Sequence, residues 1–119
     1  MKNNNKWYLH VFYATAYSIS GLKWIIENET SFKYDLGLIL IVFFIVILMG
    51  NVSNFGFIYL FLSSTVLLIA EITNSALERI TDFICPNYDV RAKVIKDLGS
   101  ASVFVAICNL VGTALILIY

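Results

Sequence analysis

The hydrophobic positions fall in long unbroken runs. No residue is charged from Leu36 to Ala70, and none is charged from Leu98 to Tyr119. A bilayer core of about 30 Å takes roughly 20 apolar helical residues to cross. The second run supplies one span. The first is too long for one span and suits two shorter ones, with Gly50-Asn51-Val52-Ser53-Asn54 as the tight turn between them. The pattern predicts spans at about 34–49, 55–84 and 95–119. The second continues past Ala70 as helix, because Glu71 to Asp82 holds neither Gly nor Pro. Pro86, the only proline, follows Cys85 and ends that helix. Asn87-Tyr88-Asp89 continues the turn, and Arg91 to Asp97 leads into the last span as helix. Small residues on that span (Gly99, Ser100, Ala101, Ser102, Ala106, Gly112 and Ala114) predict close packing against protein.

Residues 1–33 are of another kind. Trp7, Tyr8, Phe12, Tyr13, Tyr17, Trp24 and Phe32 are interleaved with Lys6, His10, Lys23, Glu27, Glu29 and Lys33. This mixture predicts an amphipathic helix lying in the membrane interface, with Trp and Tyr at headgroup level. Gly21 is expected to bend or break it. Glu29 and Lys33, four apart, are expected to form a helical ion pair. The fold class is therefore all-α integral membrane, with one domain over 1–119.

Composition agrees: 60% of residues are hydrophobic and 13% charged, where soluble domains carry about 25% charged residues. The formal net charge of zero suggests no nucleic-acid partner. The polar, aromatic N-terminus does not read as a signal peptide. Cys85 in a polar loop and Cys108 within a span read as free thiols. With three spans, Lys2, Lys6, Lys23, Lys33, Arg79, Arg91, Lys93 and Lys96 all fall on one side, with residues 1–35 and the 79–97 loop. The positive-inside rule makes that side, and the N-terminus, cytoplasmic.

The chemistry concentrates after Ala70. Glu71, Asn74, Ser75, Glu78 and Asp82 lie at i, i+3, i+4, i+7 and i+11, one face of one helix. Glu71 and Glu78 are about 10 Å apart along the axis. An ionisable group at the edge of an apolar run is costly unless paired or wetted, which marks Glu71, Asn74 and Glu78 as functional. Asp82 reads as an acid on a solvent face. Carboxylates and an amide, without clustered Cys or His, favour Mg²⁺ over Zn²⁺. Lys96 suits a phosphate as a point charge. Asp97 beside it suits a nucleotide contact or a cap for the last helix. There is no Walker A loop and no H-R-D loop, and Asp97-Leu98-Gly99 resembles a kinase D-F-G by chance. His10, taken alone, reads as an interfacial polar residue.

Glu71-Ile72-Thr73-Asn74-Ser75-Ala76-Leu77-Glu78-Arg79-Ile80-Thr81-Asp82 resembles the signature helix of the prokaryotic diacylglycerol kinases. Lys96-Asp97-Leu98-Gly99-Ser100-Ala101 is similar to the family's entry to its last helix. Upstream, Tyr17-Ser18, Gly21-Leu22-Lys23 and Glu29-Thr30-Ser31-Phe32-Lys33 fit weaker elements of the same family. The resemblance implies an ATP-dependent lipid kinase of the bacterial inner membrane, a homotrimer with active sites shared between subunits. It implies Glu71 as general base on the lipid hydroxyl, and Glu29 and Glu78 as ligands of the Mg²⁺ that accompanies ATP. His10, Tyr17, Glu29, Glu78, Asn87, Tyr88, Asp89, Lys96 and Asp97 would bind nucleotide. Ser18, Asn74 and Ser100 would orient substrate. Position 10 is His where relatives often carry Arg, and Ala16 and Ser20 replace a Gly and a Lys. Diacylglycerol is the expected acceptor and undecaprenol the alternative: Gly99-Ser100 leans to the first, the Arg91-Ala92-Lys93 spacing to the second. A transporter or assembly subunit without enzymatic activity would need a polar path, for which Asn109 is the main deep candidate.

Overall fold

The computed structural model describes residues 6–119, so Lys2 lies outside the described residues. Four α-helices follow one another: α1 (Trp7–Asn28), α2 (Thr30–Met49), α3 (Asn54–Ile84) and α4 (Val90–Ile118). Two compact units result, one reaching Thr30 and the other running Ser31–Tyr119.

In the first unit, α1 continues through Gly21 without interruption. The helix does not break there, because a lone glycine costs only about 1 kcal/mol in a helix and the flanking residues sustain it. The helix ends at Glu29, whose backbone is extended (φ −110°, ψ 113°) while its N–H still bonds the Ile25 carbonyl at 2.9 Å. This break also removes the expected Glu29–Lys33 register, since the two residues do not share a helix. Lys23 and Glu27 form an exposed ion pair on this helix, at 3.9 Å.

In the second unit, α2, α3 and α4 are each long and apolar enough to cross a membrane. Helices satisfy every backbone polar group internally, which lipid demands. The core runs along the α3–α4 pair: Leu60, Leu67 and Leu110 are fully buried, joined by Ala106 and Ala114 and by Val42 and Val46 of α2. Leu60 and Leu67 are seven apart, as are Gly99 and Ala106, so each helix turns one stripe inward. Gly99, Ala106 and Ala114 are buried as their size predicted, whereas Ser100, Ala101 and Ser102 face outward. A hydrogen bond between Ser63 Oγ and Thr113 Oγ1, at 2.9 Å, ties the two helices midway. Such a bond contributes about 0.6 kcal/mol in a membrane. Large apolar side chains such as Leu40, Phe44, Phe61 and Phe104 point away from the core. That would be costly in water and is the natural surface for hydrocarbon.

The turn after α2 is tight. A methyl group on Gly50 would meet the Val46 carbonyl oxygen at 2.8 Å. Ser53 then caps α3 by accepting from Gly56 N at 3.3 Å. After Ile84 the chain leaves the helix at Cys85 and Pro86 and re-enters at Val90. Asp89 is the cap of α4, accepting from Arg91 N at 2.8 Å. This corrects the alternative of Asp97 as cap: Asp97 lies two turns inside α4.

Candidate active site

The acidic stripe of α3 runs from buried to exposed. Glu71 is only 3% exposed, and Asn74 and Ser75 are also buried. Glu78 is half-buried and Asp82 exposed. Alternate turns of one helix thus carry carboxylates from a dry environment to a wet one. Asn74 Nδ2 donates to Glu78 Oε1 at 3.3 Å, one turn along the face that the spacing predicted. Asn74 Oδ1 is buried without a hydrogen-bond partner among the described residues. It presses on Gly99 of α4, where a side chain would collide with it. Glycine at 99 therefore lets Asn74 lie between the two helices.

Glu71 has two neighbours on α2. Ser31 Oγ donates a hydrogen bond to Glu71 Oε1. The carboxyl of Asp35 lies beside that of Glu71, and its Oδ2 is buried without a partner among the described residues. Sequence reading missed both. Asp35 had a sign, as an acid inside a helix able to span a membrane. Ser31 had none, since its partner is forty residues away.

At the other end of the stripe, Lys96 of α4 pairs with Asp82 of α3. The sequence placed Asp82 on a solvent face, which holds, but did not give it this partner. Lys93 and Asp97 pair within α4 at 2.6 Å. Asp89 holds Arg91 through Oδ2 at 3.0 Å. The Arg91 side chain, and then its backbone N–H, keep the Asp89 carboxyl below its ordinary pKa. Asp82, Asn87, Tyr88, Asp89, Lys96 and Asp97 line one recess at the α3–α4 loop. Ser100, one turn beyond Lys96, is exposed. On α1, His10 and Tyr17 share a face and a shallow recess with Tyr13 and Ala14. Ser18 is exposed and donates to the Ala14 carbonyl at 3.0 Å. Glu29 sits at the C-cap of α1.

The sequence matches the family described as prokaryotic diacylglycerol kinase over residues 16–118. The chain belongs to that family. The diacylglycerol kinase of Haemophilus influenzae is 37% identical over 100 residues, covering 83% of each chain. That of Escherichia coli K12 is 31% identical over 119 residues, covering all of this chain and 97% of the other. A diacylglycerol kinase from Sinorhizobium is 28% identical over 110 residues, covering 92% and 77% respectively. The protein is thus a membrane-embedded lipid kinase of the diacylglycerol kinase type, for which ATP is the implied co-substrate. The motifs that resemble the family coincide with the C-terminal part of α3, from buried Glu71 to exposed Asp82, and with Lys96 to Ala101 of α4.

Magnesium can be tested against the donors present. No cluster of three or more His, Cys, Asp or Glu exists among the described residues. Mg²⁺ commonly takes one or two carboxylates together with substrate phosphates, so it needs no such cluster. The Glu78 carboxylate, and the Asn74 amide oxygen that lacks a partner, are hard oxygen donors of the right kind.

Proposed function

We propose that this kinase transfers the γ-phosphoryl group of ATP to the free hydroxyl of diacylglycerol, giving phosphatidic acid, at the cytoplasmic face of the bacterial inner membrane. The observation that carries this reading is Glu71, a buried carboxylate at the edge of an apolar span. A lipid alcohol stays in the bilayer and ATP stays in water, so the reaction must occur where the two meet.

In this reading Glu71 takes the proton of the lipid hydroxyl. The alkoxide oxygen forms a bond to the γ-phosphorus, the bond to the β–γ bridging oxygen breaks, and ADP departs with that electron pair. Phosphoryl transfer depends on alignment and charge neutralisation more than on covalent catalysis. Asn74 orients Glu78 through its hydrogen bond. Glu78 and Glu29 would hold Mg²⁺, which supplies positive charge to the phosphates. Lys96 would exchange Asp82 for a phosphate oxygen. His10, Tyr17, Asn87, Tyr88, Asp89 and Asp97 would contact nucleotide, and Ser18 and Ser100 the lipid headgroup. We also assign a homotrimer with shared sites. Asn109 supports it: this amide lies exposed on a helix able to span the membrane, in a seam lined by Val66, Ser102 and Val105. A polar group there needs a protein neighbour.

The test is ATP-dependent phosphorylation with diacylglycerol and undecaprenol as parallel acceptors and Mg²⁺ present. Diacylglycerol is expected to be preferred, and Glu71→Gln to lose at least about a hundredfold in turnover. In sealed inside-out vesicles external ATP should be used, and in right-side-out vesicles it should not. Preference for undecaprenol would reassign the acceptor. Full turnover by Glu71→Gln would remove the base assignment.

A further inference from the structure

The geometry points to Ser31 as a positioning residue that fixes the orientation of Glu71; this rests on the reading of Glu71 as the base. Glu71 is buried with the Asp35 carboxyl facing it. Two facing carboxylates only accept hydrogen bonds and repel, so Asp35 can anchor Glu71 only while one of the two holds a proton. A hydroxyl can donate, and Ser31 Oγ donates to Oε1 of Glu71. The contact joins the first turn of α2 to the buried part of α3, so it fixes the rotation of the carboxylate relative to the helix pair. With Oε1 held, the acceptor hydroxyl meets Oε2 in a fixed direction. Alignment at this level controls rate, because small displacements of a base lower the population of reactive geometries. Ser31 itself is exposed, so its hydroxyl adds little to the packed core.

The experiment compares Ser31→Ala, Ser31→Thr, Glu71→Gln and the double variant Ser31→Ala/Glu71→Gln in full-length protein, with melting curves for each. Ser31→Ala is expected to lower kcat about tenfold, with KM for ATP and for the lipid unchanged, because a hydrogen bond to a charged group is lost. Ser31→Thr keeps the hydroxyl and is expected to remain within about twofold of the unsubstituted enzyme. In the Glu71→Gln background, Ser31→Ala is expected to cost nothing further, because the group it positions is gone. An unchanged kcat in Ser31→Ala, beside a strongly slowed Glu71→Gln, would overturn the role of Ser31 and leave the base standing. The same drop in both backgrounds, or a rise in KM alone, would reduce Ser31 to a structural or binding residue. Full activity of Glu71→Gln would instead overturn the reading of the base, and the inference with it.

Discussion

At the scale of single residues, the contact between Gly99 and Asn74 is the most constrained feature of the site. A methyl group at 99 overlaps the Asn74 amide oxygen, while the next nearest atom beyond that amide, Leu77 Cδ1, is at an ordinary 3.6 Å. The amide must therefore move, and the hydrogen bond to Glu78 moves with it. Gly99→Ala is expected to destabilise the protein by about 1–3 kcal/mol through overpacking. It should also lower turnover by more than that loss of folded protein explains. Paired measurements of melting and of kcat on verified folded enzyme check this, and turnover that merely tracks the folded fraction would contradict it. The spacing of Glu71, Asn74 and Glu78 is legible in the sequence, because helical periodicity alone puts them on one face. The Ser31, Asp35 and Asp82 contacts are not. Each joins residues distant in sequence, and neither propensity nor spacing encodes which side chains two packed helices bring together.

At the scale of elements, the spans were legible because lipid leaves an apolar run of that length little alternative to a helix. Boundaries read from Gly were less secure than those read from Pro. Pro86 lies in the loop after α3, as its missing N–H requires, while Gly21 sits unnoticed inside α1. The break that does occur, at Glu29, has neither residue. The start of α4 depends on Asp89. Its carboxyl is held below the ordinary value of 3.8, so its contribution is complete above that value and is lost as pH falls through the lower, folded one. Asparagine also caps helices but does not titrate. The difference in melting temperature between the unsubstituted enzyme and Asp89→Asn should therefore be constant above about pH 5 and change only below about pH 4. A difference that varied between neutral pH and pH 5 would show that another group governs this end of α4.

At the scale of the whole molecule, what was most legible was the solvent. Nearly every large apolar residue of α2 that faces outward would be a liability in water. On α4, Asn109 is a polar side chain exposed on such a surface, and the proposed trimer gives it a neighbour. A detergent-corrected mass of three chains is expected, with Asn109→Leu weakening association; a fully active monomer would refute the shared site. Of the proposed nucleotide set, His10 and Tyr17 line a recess on α1, and Asn87, Tyr88, Asp89, Lys96 and Asp97 line one at the α3–α4 loop.

The unequal lengths of the helices have a further consequence. α2 has 20 residues and α3 has 31. At about 1.5 Å per residue, α2 measures about 30 Å, close to one hydrocarbon core, and Glu71 lies about 26 Å along α3 from Asn54. If Glu71 is the base, as proposed, the chain would act as a ruler for bilayer thickness. A thicker bilayer submerges Glu71 beyond the reach of aqueous ATP, while a thinner one lifts it away from the hydroxyl of its lipid. Turnover in vesicles of increasing acyl-chain length, at constant diacylglycerol fraction, should pass through a maximum near a 30 Å core and decline on both sides. A flat profile would mean that the helices tilt freely enough to keep the carboxylate at the interface in every membrane.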